Sequence, residues 1–206
     1  ITEPVPDVLE KLGWEGAPAI TDCRSLLNYT RTTPDGRIAL GWGGGRIAAG
    51  GRRGGTAEVD GEVVEEVSRN LTDYFPDLAG RRITHAWGGP IDASASPLPH
   101  VVSLPSGRVF AAFGYTGNGV GPTQMVGRIM SSLVLDRRDE YSRLALVEPT
   151  SALTSVPPEP FRWIGGTIIR DAIRRKEAAE ARGERPGPVS SLIAAVPKMI
   201  GFHIGR

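Results

Sequence analysis

Apolar and polar positions alternate along this chain in short runs that divide it into β-strands and amphipathic helices. Leu27–Thr33 and Arg37–Trp42 are β-rich and flank Pro34-Asp35-Gly36. That trio supplies a preset φ, a side chain that bonds its own backbone and a residue free to take positive φ, so a hairpin is predicted. Residues 7–14 read as a short helix that opens near Asp7 and closes at Gly13. Over residues 59–74, Val63, Val67, Leu71 and Tyr74 recur on one face at helical spacing, and Phe75-Pro76 ends the run. Ile1–Pro4 reads as part of a strand, and Arg82–Trp87 as another, stopped by Gly88-Gly89-Pro90. His100–Leu104 and Arg108–Phe113 form a further pair around Pro105-Ser106-Gly107. Thr123–Leu135 has the length and apolar spacing of a packed helix. Residues 161–182 are also predicted helical, with Ile164, Ile168 and Ile173 roughly on one side. Between these helices, the proline-rich residues 149–160 act as a linker or extended strap. A second proline break at Pro186–Pro188 precedes an apolar, basic stretch from Val189 to Arg206. The fold class is α+β, because strands and helices never complete a parallel βαβ series.

Composition narrows the classes of function. A chain of 206 residues buries a core as one domain or as two small ones. The formal net charge is +1, so no strong field draws nucleic acid to the molecule. A single cysteine, Cys23, excludes an internal disulfide framework and suits a reducing, cytoplasmic compartment. No apolar run approaches the roughly 20 residues of a spanning helix, and no signal peptide opens the chain, so a membrane location is not expected. The chain starts at Ile1 without methionine. Together with the incomplete βαβ series, this gives the expectation that it is a portion of something larger.

The densest chemical signal is Gly114-Tyr115-Thr116-Gly117-Asn118-Gly119-Val120-Gly121-Pro122, between a strand and a helix. Such a turn aims free backbone N–H groups and a helix N-terminus at one point, which suits an anionic or electron-rich group. Gly117-x-Gly119-x-x-Pro122 misses the dinucleotide fingerprint G-x-G-x-x-G by one residue, and Asp136 stands where its acid would, about 20 residues on. The helix runs straight into Asp136, however, with no second strand to carry the acid. A tight turn without a ligand is the alternative; the density of glycine favours close backbone approach. Gly50-Gly51-Arg52-Arg53-Gly54-Gly55 reads as a flexible turn in preference to an RNA-binding tract. His85, His100 and His203 are scattered, so no metal site is expected. The absence of G-x-S-x-G argues against a serine hydrolase, and Cys23 has no local partner signature. Arg174-Arg175-Lys176 reads as a solvated or helix-terminal charge cluster. For residues 189–206, packing onto a larger body is favoured over membrane-surface attachment.

Several segments together resemble the FAD-dependent oxidoreductases of the glycine/D-amino acid oxidase (DAO-like) family, bacterial γ-glutamylputrescine and amine oxidoreductases among them. They are Tyr29–Ile38 with Gly43-Gly44-Gly45, Phe75-Pro76, His85-Ala86-Trp87-Gly88-Gly89-Pro90-Ile91-Asp92, Phe113–Pro122, and Pro157–Arg162 with the basic helix after it. The resemblance implies that residues 1–80 are the later part of a substrate-binding domain. It makes residues 81–148 the C-terminal part of a FAD-binding domain, and 149–206 a strap with C-terminal helices. The N-terminal Rossmann portion that grips the ADP half of FAD is then a missing partner half.

By the same resemblance, Gly114, Tyr115, Thr116, Gly117, Asn118, Gly119 and Val120 lie against the isoalloxazine ring. The N–H groups of Gly117, Asn118, Gly119 and Val120 stand near its pyrimidine edge. The substrate implied is a small amine or amino acid, and the substrate-side candidates are Tyr29, Arg31, Trp42, His85 and Trp87. Arg31 either pairs with a substrate carboxylate or is an exposed cross-strand charge, and Trp87 is either core or substrate contact. No catalytic base is assigned. The chain alone is expected to hold FAD weakly or not at all and to be inactive. The alternative is a non-enzymatic binding module that uses the loop at 114–122.

Overall fold

Each of two regions of the chain collects its own core, and the computed structural model describes residues 1–96, 98–150, 153 and 156–202. The first unit takes in Ile1–Pro90 and Pro158–Pro197; the second is formed mainly by Ile91–Pro157.

In the first unit, helix α1 (Pro6–Leu12) begins on a proline, whose missing N–H costs nothing there. It ends at Gly13, whose φ of +59° lets its N–H turn back to Glu10 O. Three strands, β1 (Ile20–Thr21), β2 (Asn28–Thr32) and β3 (Ile38–Trp42), form an antiparallel sheet in chain order. The predicted hairpin is present: Thr30 faces Leu40, and Gly36 takes a φ of +76° in the turn. Strand β2 alternates buried Asn28, Thr30 and Thr32 with exposed Tyr29 and Arg31, so one face is core and the other open. Helix α2 (Gly61–Tyr74) starts where the Asp60 carboxylate accepts the N–H groups of Glu62 and Val63, which leaves Val59 outside it. Val5, Val8, Ile38, Leu71 and Leu78 are the buried core, with Leu9, Trp14, Leu40 and Phe75 packed around them.

The expected strands at Ile1–Pro4 and Arg82–Trp87 are not formed. They reduce to one antiparallel bridge between Thr2 and Ile83, flanked by Glu3 N–H to Arg82 O and Thr84 N–H to Ile1 O, each at 2.8 Å. Pro4 has no N–H to continue a ladder and α1 begins two residues later, so pairing stops. The Gly50–Gly55 tract folds as turns, with Gly50, Gly51, Gly54 and Gly55 all at positive φ. The Gly50 N–H donates to Glu159 Oε1 at 2.9 Å.

Helix α4 (Phe161–Ala181) buries Ala172, Ile173, Glu177 and Ala179. The predicted apolar side is therefore only partly right: Ile173 is inside, but Ile164 and Ile168 are 45% and 50% exposed. The contacts of Arg170 and Glu177 with the sheet region set the face that turns inward, not the isoleucine spacing. Helix α5 (Pro188–Met199) leaves Val189, Leu192 and Met199 exposed. The remainder of the basic stretch, from His203, lies outside the described residues.

The second unit holds a mixed sheet of three strands, β4 (His100–Ser103), β5 (Phe110–Phe113) and β6 (Val147–Glu148), with β4 in the middle. Strand β5 runs antiparallel to β4 with Phe113 opposite His100; β6 runs parallel with Val147 opposite Val101. Helix α3 (Pro122–Val134) packs Val126 and Ile129 against Val101. The chain is thus α+β, with one small antiparallel and one small mixed sheet. Among the described residues, no helix is long and apolar enough to cross a membrane.

Candidate functional site

Strand β5 leads directly into the glycine loop, and α3 begins at Pro122. Gly114 is buried and turns with a φ of +79°. A Cβ there would lie 3.0 Å from Ser94 Cβ and 3.1 Å from His100 Cδ2, so the position admits only glycine. Thr116 and Gly117 follow at φ +51° and +80°, and the Asn118 N–H closes the turn onto Tyr115 O at 2.9 Å. Positive φ at both central residues marks a turn of the I′ kind, which usually selects Gly, Asn or Asp. A β-branched threonine there is an outlier.

A neighbouring segment holds this turn. The Asp92 carboxylate accepts the Gly114 N–H, and the Asp92 carbonyl accepts the Thr116 N–H at 3.0 Å. Ser94 N–H donates to Thr116 Oγ1 at 3.2 Å and the Ser94 hydroxyl donates to Gly114 O at 3.0 Å. Burial, with the Asp92 charge adding to it, raises the Tyr115 phenol above the usual tyrosine value. On the other side, His100 Nδ1 lies 2.8 Å from Glu148 Oε2, and its ring is tilted against Phe113 at 5.9 Å.

With the turn fixed in this way, the N–H groups of Gly117, Gly119 and Val120 find no acceptor among the described residues, and Val120 is 95% exposed. The Asn118 N–H, also expected to face a ligand, is instead used within the turn. These donors stand at the start of a helix of 13 residues, where its dipole adds partial positive charge. Such a donor set fits the hydrogen-bond-accepting, electron-rich pyrimidine edge of a flavin. Asp136 does not act as the ribose acid of a dinucleotide site: at φ +49° it ends α3, with its N–H to Leu133 O at 3.2 Å.

The five substrate-side candidates all belong to the first unit. Tyr29 and Arg31 share the open face of β2. The Tyr29 ring lies across Gly41, its cross-strand partner, where any Cβ would collide with it. Arg31 makes one long contact, from Nε to Thr32 O at 3.5 Å. Trp42 pairs with Asn28 and therefore points to the opposite face. There the Arg170 guanidinium stands 5.8 Å from its ring centre and donates to Gly44 O at 2.9 and 2.7 Å. His85 is exposed, with Nδ1 2.9 Å from Thr84 Oγ1. Trp87 is 68% exposed, so it is not a core residue of this unit.

Asp92, Ser94, His100 and Glu148 are absent from the sequence-derived candidates. Only the Trp87–Asp92 motif hinted at the first of them. No spacing rule joins it to a loop 22 residues away. The first unit also carries a polar cluster at the buried edge of its sheet. Asp22 accepts the Asn28 N–H at 3.0 Å, the Asn28 side chain at 2.9 Å and the Tyr74 hydroxyl at 2.7 Å, and Asn70 donates to Asn28 Oδ1 at 3.0 Å. Burial pushes the Asp22 carboxyl up, but the bonds from Asn28 and Tyr74 outweigh it and its pKa falls below the ordinary value. Burial and the bond to Asp22 push the Tyr74 phenol up to about 12. The buried Glu177 carboxyl, raised by burial, accepts the Ser25 and Leu26 N–H groups at 2.6 and 3.2 Å.

The family model for FAD dependent oxidoreductases (DAO) matches residues 1–133, and the chain belongs to this family. Among its relatives, the probable oxidoreductase OrdL of Rhizobium meliloti is 28% identical over 158 residues, covering 77% of this chain and 32% of the relative. The probable oxidoreductase OrdL of Haemophilus influenzae is 26% identical, over 82% of this chain and 34% of its own length. Gamma-glutamylputrescine oxidoreductase of Escherichia coli is 30% identical, over 73% and 30%. The chain thus spans about a third of the length of the relatives it matches. No solved structure matches it.

Proposed function

We propose that these residues are part of a flavoenzyme that oxidises the C–N bond of a small amine or amino acid, and that the Gly114–Val120 loop faces the isoalloxazine ring. The observation that carries this reading is the set of unpaired N–H groups at Gly117, Gly119 and Val120, in a chain of the FAD-dependent family. When bound, FAD supplies the acceptor for a hydride from the substrate carbon. The three N–H groups and the N-terminus of α3 stabilise negative charge that develops at the ring's pyrimidine edge. Tyr29 offers an aromatic wall, and the Arg31 guanidinium, with one long contact, is available to a substrate carboxylate. The amine loses its second proton to solvent, and water hydrolyses the imine product.

The phosphate grip is assigned to residues outside these 206, since the chain contains no G-x-G-x-x-G. That reading divides the chain into a substrate-domain portion (1–80), a flavin-domain portion (81–148) and a C-terminal strap with helices (149–206), and assigns it to the cytoplasm, a reducing compartment that the lone cysteine of these 206 residues suits. Two preparations test it: the product of the whole open reading frame that encodes these residues, and the 206-residue chain alone. The first is expected to be yellow with stoichiometric FAD and to bleach anaerobically with a member of an amine and amino acid panel. The second is expected to be colourless. A flavin-free product of the whole frame overturns the proposal.

A further inference from the structure

We propose that Asp92 is a positioning residue for the glycine loop: it fixes Gly114–Thr116 in the backbone form that leaves the Gly117, Gly119 and Val120 N–H groups unpaired. The inference rests on the reading of this loop as the flavin-facing element. Asp92 uses two acceptors on alternate donors of one strand end, its carboxylate on Gly114 N–H and its carbonyl on Thr116 N–H. A threonine left to itself avoids positive φ, because its branched Cβ crowds the backbone. Here it is held at +51° by a bond to each side of it: its own N–H to Asp92, and its Oγ1 from Ser94 N–H. Ser94 and His100 leave no space for a side chain at Gly114, and Glu148 holds the His100 ring in that place. Without the carboxylate bond the Gly114 end of the loop loosens, the adjoining Thr116 N–H bond to the Asp92 carbonyl is strained, and the free donors beyond it are redirected. The Asp92 carbonyl survives any substitution, so the role specific to its side chain is the bond to Gly114.

The test uses the full-length flavoprotein, first without FAD and then titrated with it. Asp92→Ala is expected to speed hydrogen exchange at the Gly114 amide by about tenfold or more, without changing exchange at Val101 or Ile129 in the sheet and helix core. It is also expected to weaken FAD binding by about tenfold and to shift the flavin's visible absorption, since each lost or misdirected donor is worth about that factor. Asp92→Asn keeps an acceptor oxygen and is expected to restore both to within about threefold of the wild type. Ser94→Ala, which removes the hydroxyl's contacts with Gly114 O, Thr116 Oγ1, Ser96 O and Leu98 O but keeps the Ser94 N–H bond to Thr116 Oγ1, is expected to move both readouts in the same direction by less, and supplies the comparison if Asp92→Ala does not fold. Wild-type exchange at Gly114 in Asp92→Ala, or an Asp92→Asn variant no better than it, overturns the proposal. Failure of the wild type to bind FAD overturns the flavin reading alone, because Gly114 exchange measures the positioning without the cofactor.

Discussion

Two aspartates, one in each unit, organise the polar groups around them in opposite ways. Asp22 gathers donors to itself: Arg24 N–H, Asn28 N–H, the Asn28 amide and the Tyr74 hydroxyl all end on its carboxylate, and Asn70 extends the cluster through Asn28. Among the described residues Asp92 takes two donors, at Gly114 and Thr116, and leaves the next N–H groups open. The first arrangement is closed and serves the scaffold, since buried polar groups are costly unless met. The second is open, the arrangement we propose for a ligand. It tolerates a threonine at positive φ, the kind of local strain that folded surroundings sustain at functional positions. What separates scaffold from site in this chain is therefore the number of donors left over, not the residue type at the centre.

The largest effect that tests this contrast is expected from Asn28→Ala. The change strips Asp22 of a side-chain donor and Asn70 of its acceptor in a buried setting. One orphaned group, the Asn70 amide, and the donor lost from Asp22, which keeps its other partners, predict a loss of about 2 kcal/mol in urea unfolding. A loss below about 1 kcal/mol would mean that the cluster does not hold the sheet. Next comes the alkaline limb. The folded-state pKa of Tyr74 is about 12 against an ordinary value of 10.0. The fold therefore binds the phenolic proton more tightly than the unfolded chain does. Its contribution is fully present below pH 10 and is lost as pH rises through about 12. Asp22, with its pKa lowered, contributes in the opposite limb: its share is present above the ordinary carboxylate value and is lost as pH falls through the folded one. Tyr74→Phe is expected to flatten the alkaline fall, and tyrosinate absorbance on the wild type should show one late-titrating phenol. The smallest effect is expected in the loop. Thr116→Gly relieves the positive φ but gives up the Oγ1 bonds with Ser94, so stability should change by no more than about 1 kcal/mol. A large loss there would place the loop with the scaffold and erase the distinction.

Local chemistry was legible in the sequence, and contacts between distant residues were not. The 34–36 turn, the αL cap at Gly13 and the strand–glycine–helix order at 110–134 all follow from residues within a few positions of one another. Strands β1 and β6 are two residues long, too short for any alternation to show. The Arg82–Trp87 run has β-forming residues, but its only partner is cut short by Pro4. Periodicity found α4 but not its inner face. That face is chosen by Arg170 and Glu177, charged residues whose partners, Gly44 and the Ser25–Leu26 backbone, are more than a hundred positions away. At the site, the loop stood out by composition, whereas its support from Asp92 and Ser94 is a matter of tertiary register. The resemblance groups Trp42 with Tyr29 and Arg31 on the substrate side, whereas the register Asn28↔Trp42 puts it on the other face of the sheet.

The chain leaves its first unit at Pro90, builds the second, and returns at Pro158. Three side chains of the returning segment bond to earlier residues: Glu159 to Gly50, Arg170 to Gly44, and Glu177 to Ser25 and Leu26. The apolar core of the first unit, Val5, Val8, Ile38, Leu71 and Leu78, is drawn wholly from residues that precede this excursion. The returning segment is therefore a clasp: it ties the glycine turns and the start of the sheet together through polar groups, around that apolar core, to which it contributes nothing.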